Sequence, residues 1–335
     1  MRAAIIKSAN EPIILETIPD PQPGPGEVVV EIKAAALNHR DLWIQKGAYH
    51  NKQYPCVLGS DGAGIVIATG QGVEKDLVNR AVLINPALHW GDRRQGHGDN
   101  FQILGMPTNG TFAEQVAVPA ENITELPKGW NFEMGAALPL AGLTAYRALF
   151  YRGAAQKGQT LLITGIGGGV ATFLLSFAVA AELKVYVTSS ADEKINMATK
   201  LGATKGVLYT EDSWTDQLRE AVPEGFDLII DSAGGANFPK LLQLIKTGGK
   251  IVNFGGTAGK IPEIIPQRIF WKQASILGTT MGSPVDFSEM VKFADSREIT
   301  PVIDQVFAFE EVAEAFKHME NQRQFGKILL KFDRI

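Results

Sequence analysis

Between Thr160 and Leu175 the chain reads strand, glycine turn, helix. The apolar run Thr160-Leu161-Leu162-Ile163-Thr164 is followed at once by Gly165-Ile166-Gly167-Gly168-Gly169-Val170-Ala171, and then by Thr172-Phe173-Leu174-Leu175. A short run without polar alternation is a strand buried on both faces, the kind that builds parallel sheets. Glycines after such a strand let backbone N–H groups approach a pyrophosphate, and the start of the next helix adds a partial positive charge. A tight turn also demands glycine, so the glycines alone carry little. Their place between strand and helix decides for a dinucleotide, as does Ala171 where close helix–strand packing tolerates only a small residue. Gly165, Gly168, Gly169 and Val170 are the expected contacts.

The following sequence supplies the rest of the sheet. Apolar strands are predicted at Lys184-Val185-Tyr186-Val187-Thr188, Gly206-Val207-Leu208-Tyr209, Phe226-Asp227-Leu228-Ile229-Ile230-Asp231 and Lys250-Ile251-Val252-Asn253-Phe254. Helical patterns intervene at about 169–182, 192–201, 212–221 and 236–246, the second stopped by Gly202. This βαβαβ order predicts an α/β fold with a doubly wound parallel sheet. Asn253, Phe254, Gly255 and Gly256 close the edge of the fifth strand, where such sheets bind ligands.

The part before it is built differently. From Met1 to about Pro119, runs such as Glu27-Val28-Val29-Val30-Glu31-Ile32 are punctuated by Pro and Gly, predicting a β-rich domain with long loops. Residues 85–109 lack periodicity and read as a surface lobe before a strand from Thr111 to Val118. After 281, helices near Phe287 to Ala294 and Glu310 to Met319 and a strand Lys327-Ile328-Leu329-Leu330-Lys331 are expected to return to this first domain. A length of 335 residues, 45% of them hydrophobic, suits two cores.

Charge and cysteine content narrow the function. A net charge of −4 without a Lys/Arg block argues against nucleic acid or a membrane surface as partner, leaving a small molecule. The start of the chain has no signal-peptide core and no apolar run reaches ~18 residues, so a soluble cytoplasmic protein is expected. With Cys56 alone, neither an internal disulfide nor a thiolate-rich zinc cluster is possible within one chain. Cys56 itself reads as a packed residue rather than a nucleophile.

Coenzyme choice is read about twenty residues past the glycine turn. An NAD enzyme places Asp or Glu there to bind the ribose hydroxyls; this chain has Thr188, Ser189 and Ser190. Hydroxyls and the nearby Lys194 accommodate a 2′-phosphate that a carboxylate would repel, so NADPH/NADP is expected. Ser190 also starts Ser190-Ala191-Asp192-Glu193, a helix capping box, and both roles can coexist. Lys194 as a solvated helix lysine and Tyr209 as an ordinary strand aromatic remain the alternatives to contact with the coenzyme.

Together with the glycine turn, five further motifs resemble the medium-chain dehydrogenases/reductases along essentially the entire length, specifically their zinc-free, quinone-oxidoreductase-like branch. These are Gly24-Pro25-Gly26-Glu27-Val28-Val29-Val30, Leu37-Asn38-His39-Arg40-Asp41, Leu58-Gly59-Ser60-Asp61-Gly62-Ala63-Gly64, Leu140-Ala141-Gly142-Leu143-Thr144-Ala145-Tyr146 and Phe325-Gly326-Lys327-Ile328. The resemblance implies a GroES-like catalytic domain over 1–128, completed by 281–335, and a Rossmann domain over 129–280. It also implies loss of zinc. At the places matching the catalytic ligands of zinc-dependent members stand Asn38, Ser60 and Leu140, and no cysteine remains in the lobe that matches the structural-zinc lobe. A different metal site from His89, His97, Asp92 and Asp99 competes with plain solvation of those side chains. His39, Asp41, His50 and Asp61 form a second tempting group, although the motifs make Asp41 and Asp61 structural and set His39 near the coenzyme phosphates.

For catalysis the resemblance offers Asn38 as an amide that orients substrate, against a loop-capping role, and Tyr49 as a phenolic donor, against an aromatic lid contact. Thr144 matches a residue touching the nicotinamide, or else bonds back to its own helix. Lys327 matches a coenzyme-side lysine, or else is a surface lysine at a strand end. Arg40 replaces the hydroxyl of the zinc enzymes' proton relay and is free to meet phosphate or substrate. Without a Lewis acid, acceptors needing little polarisation are favoured, so hydride transfer from NADPH to a quinone or α,β-unsaturated carbonyl is expected. An alcohol dehydrogenase with an unrecognised metal site and a non-catalytic NADPH-binding sensor are the alternatives. The segment Ser275-Ile276-Leu277-Gly278-Thr279 matches the strand through which such proteins pair, implying a homodimer.

Overall fold

In the computed structural model, residues 1–49 and 53–332 are described. His50 lies outside them. The chain forms two compact units: Met1–Leu143 with Gly282–Ile335, and Thr144–Met281.

The second unit holds six parallel strands: β1 (Thr160–Ile163), β2 (Lys184–Ser189), β3 (Lys205–Leu208), β4 (Phe226–Asp231), β5 (Ile245–Asn253) and β6 (Ser275–Gly278). Their spatial order is β3-β2-β1-β4-β5-β6. Leu161, Leu162, Val185, Val187, Ile229, Ile230, Ile251 and Val252 are buried, as strands covered on both faces require. The order reverses between β1 and β4, which opens a crevice beyond their C-terminal ends, directly at the glycine turn. Helices Gly169–Ala180, Asp192–Lys200, Trp214–Ala221 and Phe238–Leu244 form at or inside the predicted ranges. The expected capping box at Ser190 does not form. Ala191 is the N-cap, and the buried Ser189 Oγ accepts the Ala191 N–H at 3.2 Å, because the chain still follows β2 through Ser189 and starts the helix one residue later.

In the first unit the strand Glu27–Ala36 is central to a seven-stranded sheet. It pairs antiparallel with Asp61–Thr69, Gln115–Pro119 and the C-terminal strand Lys327–Lys331, in the register Leu329 to Ala36 and Lys331 to Ala34. The far end of the chain thus completes the sheet begun near its start. The strand expected from Thr111 begins only at Gln115. Before that, Gly110 crosses so close to Gly59 that a Cβ on it would lie 1.9 Å from the Gly59 carbonyl oxygen, and the Thr111 N–H donates to that oxygen at 2.9 Å. The lobe contains one small hairpin, Ala87–Leu88 against Gln102–Ile103, above the buried Trp90. Among the described residues no helix is long and apolar enough to cross a membrane.

Candidate active site and coenzyme turn

The glycine turn uses its glycines. Gly165 has φ 67° and Gly167 φ 135°, both in the left-handed half of the map where side chains are strained. Gly168 is the N-cap, Gly169 the first helical residue, and Val170 is half-buried in the first turn. The turn is tied to β2, since Ile166 N–H donates to Thr188 O at 2.7 Å and Gly165 N–H to Thr188 Oγ1 at 3.1 Å. Asp231, buried at the end of β4, gathers the strand ends: it accepts from Thr164 Oγ1 at 2.7 Å, Gly234 N–H at 2.8 Å and Asn253 Nδ2 at 2.9 Å. Phe254 N–H donates to Asp231 O, and a Cβ on Gly255 would stand 2.5 Å from Ser232 O, so this edge admits only glycine there. Phe254 and Gly255 are therefore held beside the turn.

The residues expected to choose the coenzyme lie around it. Ser189 is buried and Ser190 exposed at the end of β2. The Lys194 side chain folds over the turn, so that a methyl on Gly167 would lie 2.8 Å from its Cδ and 3.2 Å from its Nζ. That places a cation where phosphate oxygens are expected. Tyr209 follows β3 rather than ending it, is part-exposed, and donates its N–H to Ser189 O at 3.0 Å. Thr144 is buried in the helix Pro139–Tyr146.

In the first unit, polar side chains converge where a short helix, His39–Gln45, leaves the end of the central strand. Lys327 is no surface lysine. It is buried, with Nζ 2.8 Å from Asp61 Oδ2, 2.8 Å from Asn38 Oδ1 and 2.9 Å from Leu37 O, because its strand is paired inside the sheet. Asn38 Nδ2 donates to the same Asp61 oxygen at 2.9 Å, and Leu140 N–H to Asp61 Oδ1 at 2.7 Å. Among the described residues Asn38 thus spends its carbonyl and one N–H on this network, leaving one N–H for a ligand.

Arg40 forms a second, adjoining cluster. Its Nη1 donates to Ser60 Oγ at 2.7 Å and Leu104 O at 2.9 Å, Nη2 to Met106 O at 3.3 Å, and Nε to Tyr49 Oη at 3.4 Å. The guanidinium also lies over the Tyr49 ring, 5.0 Å from its centre. Burial pushes the Asp41 carboxyl up to about 6, with the Arg40 charge and the Asn38 N–H pulling the other way. Burial likewise pushes the Cys56 thiol up to about 11, and its sulfur faces the carbonyls of Val57, Gly105 and Thr108, as a packed residue does.

Two family descriptions match the chain, alcohol dehydrogenase GroES-like domain over residues 24–128 and zinc-binding dehydrogenase over residues 169–296. A Leptosphaeria maculans protein named zinc-type alcohol dehydrogenase-like protein YogA is 35% identical, over 96% of this chain and 94% of its own. The chain belongs to the medium-chain dehydrogenase/reductase superfamily. It is an oxidoreductase of that type, and the superfamily works with NAD(P). A crystal structure of an NAD-dependent alcohol dehydrogenase superposes with a TM-score of 0.93 at 34% identity, covering 99% of both chains. The acryloyl-coenzyme A reductase of Sulfurisphaera tokodaii is 27% identical over 99% of this chain and 100% of its own. The GroES-like and Rossmann architecture of these dehydrogenases/reductases is the one described above.

Zinc, which one of these family descriptions names, does not suit the side chains present. Ser60 Oγ donates to Leu104 O and accepts from Arg40, the Asn38 amide is engaged by Lys327 and Asp61, and Leu140 has no donor in its side chain. A dication at Ser60 would meet the Arg40 charge at bonding distance. Among the described residues no three His, Cys, Asp or Glu side chains gather to hold a metal. In the lobe, His97 stacks on Phe101 at 4.6 Å between ring centres, and both pack edge-on against Trp90.

Asn38 and Lys327 share one network and Tyr49 belongs to the Arg40 cluster, while Gly165, Gly168, Gly169 and Val170 form the turn, Lys194 lies over it, and Ser189, Ser190, Tyr209, Phe254 and Gly255 stand at or just after the ends of their strands. The Asp61–Lys327 pair and the Arg40 cradle were not foreseen. Two charged residues inside the family motifs, Arg40 in Leu37–Asp41 and Lys327 in Phe325–Ile328, were the available signal.

Proposed function

We propose that this chain is an NADPH-dependent reductase of quinones or α,β-unsaturated carbonyl compounds that works without zinc in the cytoplasm. The observation that carries the reading is Arg40 seated on Ser60, a fixed cation in contact with a position where zinc-dependent members hold a ligand. When bound, the nicotinamide supplies hydride. The glycine turn holds the coenzyme's pyrophosphate, and Lys194 with the hydroxyls after β2 accommodates a 2′-phosphate. Tyr49 and the remaining Asn38 N–H orient the acceptor oxygen. The kinship with an acryloyl-coenzyme A reductase supports an enoyl-type acceptor.

A second reading, an NAD-dependent alcohol dehydrogenase, is favoured by the name of the solved relative at 34% identity. One set of measurements separates them: coenzyme affinity by fluorescence titration, metal content, and turnover with quinones, enals, ketones and alcohols followed at the reduced-coenzyme absorbance. NADPH should bind about tenfold more tightly than NADH, the scale of one charge-assisted contact, and chelators should leave turnover intact. NADH binding more tightly would overturn the coenzyme assignment. Stoichiometric zinc whose removal abolishes activity would overturn the metal-free mechanism. Tight NADPH binding with no acceptor reduced would identify a sensor instead.

A further inference from the structure

Arg40 is buried, yet among the described residues no carboxylate lies within ion-pair distance of it. Its acceptors are neutral: one serine hydroxyl, two backbone carbonyls and one phenol. A guanidinium carries five N–H donors, and among the described residues four acceptors are met, which leaves one N–H on Nη2. An ion pair would cancel the field of this charge. A cradle of neutral dipoles fixes the group in place: the buried Asp41 carboxyl next to it feels the charge but makes no ion pair with it, and in a low-dielectric surround the charge acts strongly. Burying a charge without a contacting counter-ion is costly, so the arrangement is expected where a negative charge is to be received.

Tyr49 extends the site. Its oxygen accepts from Arg40 Nε, so its own O–H is turned away from Arg40, as a donor strengthened by the adjacent cation. We infer that Arg40 and the Tyr49 hydroxyl form an oxyanion-binding site, receiving the negative charge that develops on a carbonyl or quinone oxygen as the C=O electron pair moves onto it. The inference rests on the reductase reading for its substrate class, but the site itself is defined by binding.

The test uses 4-nitrophenol, whose phenol and phenolate forms absorb differently, titrated into the full chain with and without NADP. Wild type should bind the phenolate in preference to the phenol. Arg40→Met should weaken phenolate binding by about 10- to 100-fold and leave phenol binding nearly unchanged, since hydrogen bonds to charged groups have that worth. Arg40→Lys, which keeps the charge, should restore part of the loss. Because Arg40→Met strips partners from buried carbonyls, Tyr49→Phe serves as a gentler variant and should weaken phenolate binding by about 3- to 10-fold. Equal binding of both forms to wild type, or undiminished phenolate binding in Tyr49→Phe and a folded Arg40→Met, would overturn the inference. Phenolate binding in a protein that reduces no acceptor would sustain the site and remove the reductase reading.

Discussion

Asp41 and Lys327 are both buried charges, and their surroundings give them opposite consequences. Asp41 Oδ2 accepts the Asn38 N–H at 2.8 Å, but Oδ1 makes no hydrogen bond among the described residues. Its carboxyl is raised by burial from 3.8 to about 6, so the acid form is the one the fold favours. The stability it contributes is full below about pH 4 and is lost as pH rises through about 6. Asp41→Asn cannot ionise and escapes that loss. The gap between variant and wild type in urea unfolding should move in the variant's favour by about 2–3 kcal/mol from pH 4 to pH 7, on top of any constant cost of the new N–H₂. A gap that stays flat with pH would show that the carboxyl ionises freely. Lys327, in contrast, has three acceptors within 2.9 Å, one of them charged. Lys327→Met would leave Asp61 buried and unpaired, and should cost about 3–5 kcal/mol in the same assay. Breaking an exposed pair such as Lys7–Glu16 should leave the urea midpoint nearly unchanged.

At the scale of elements, the lobe shows an aromatic cluster holding a loop. Trp90 is buried, its indole N–H donates to Arg93 O at 2.9 Å, and His97 and Phe101 pack on its ring. Arg94 Nε then fastens the lobe to Asp286 at 2.8 Å, on the helix Pro284–Ser296 that Ser283 caps. Trp90→Ala should cost about 3 kcal/mol or more, and amide exchange between residues 87 and 103 should quicken before the rest of the first unit responds. Uniform quickening would mean that the cluster belongs to the main core. Little of this was legible beforehand, because an aromatic cluster closing a loop has no period. The parallel strands were legible, being short apolar runs between helical patterns. The start of Gln115–Pro119 was not, because the close crossing of Gly110 and Gly59 depends on two segments far apart in sequence.

At the scale of the whole molecule, β6 is the outer strand of its sheet, and the segment leading to it exposes apolar rings: Trp271 is 76% and Phe270 57% exposed. An open strand edge beside exposed aromatics invites pairing, and the proposed assembly is two copies joined there. Light scattering should find a dimer for wild type and a monomer for Phe270→Ser/Trp271→Ser; a monomeric wild type would remove the assembly. The division of labour between chain and fold follows from range. Strand, glycine turn and helix at 160–175 lie within a few residues of one another, so local propensity and the demand of positive φ write them into the order of amino acids. Where Arg40 and Lys327 direct their charges is set by segments far apart in the chain: Lys327 reaches Asp61, 266 residues away, because the last strand pairs with the central one, and Arg40 reaches Leu104, 64 residues away, because the lobe folds back over Ser60. Desolvation and hydrogen-bond geometry act only once those segments meet, so the folded chain alone could assign those roles.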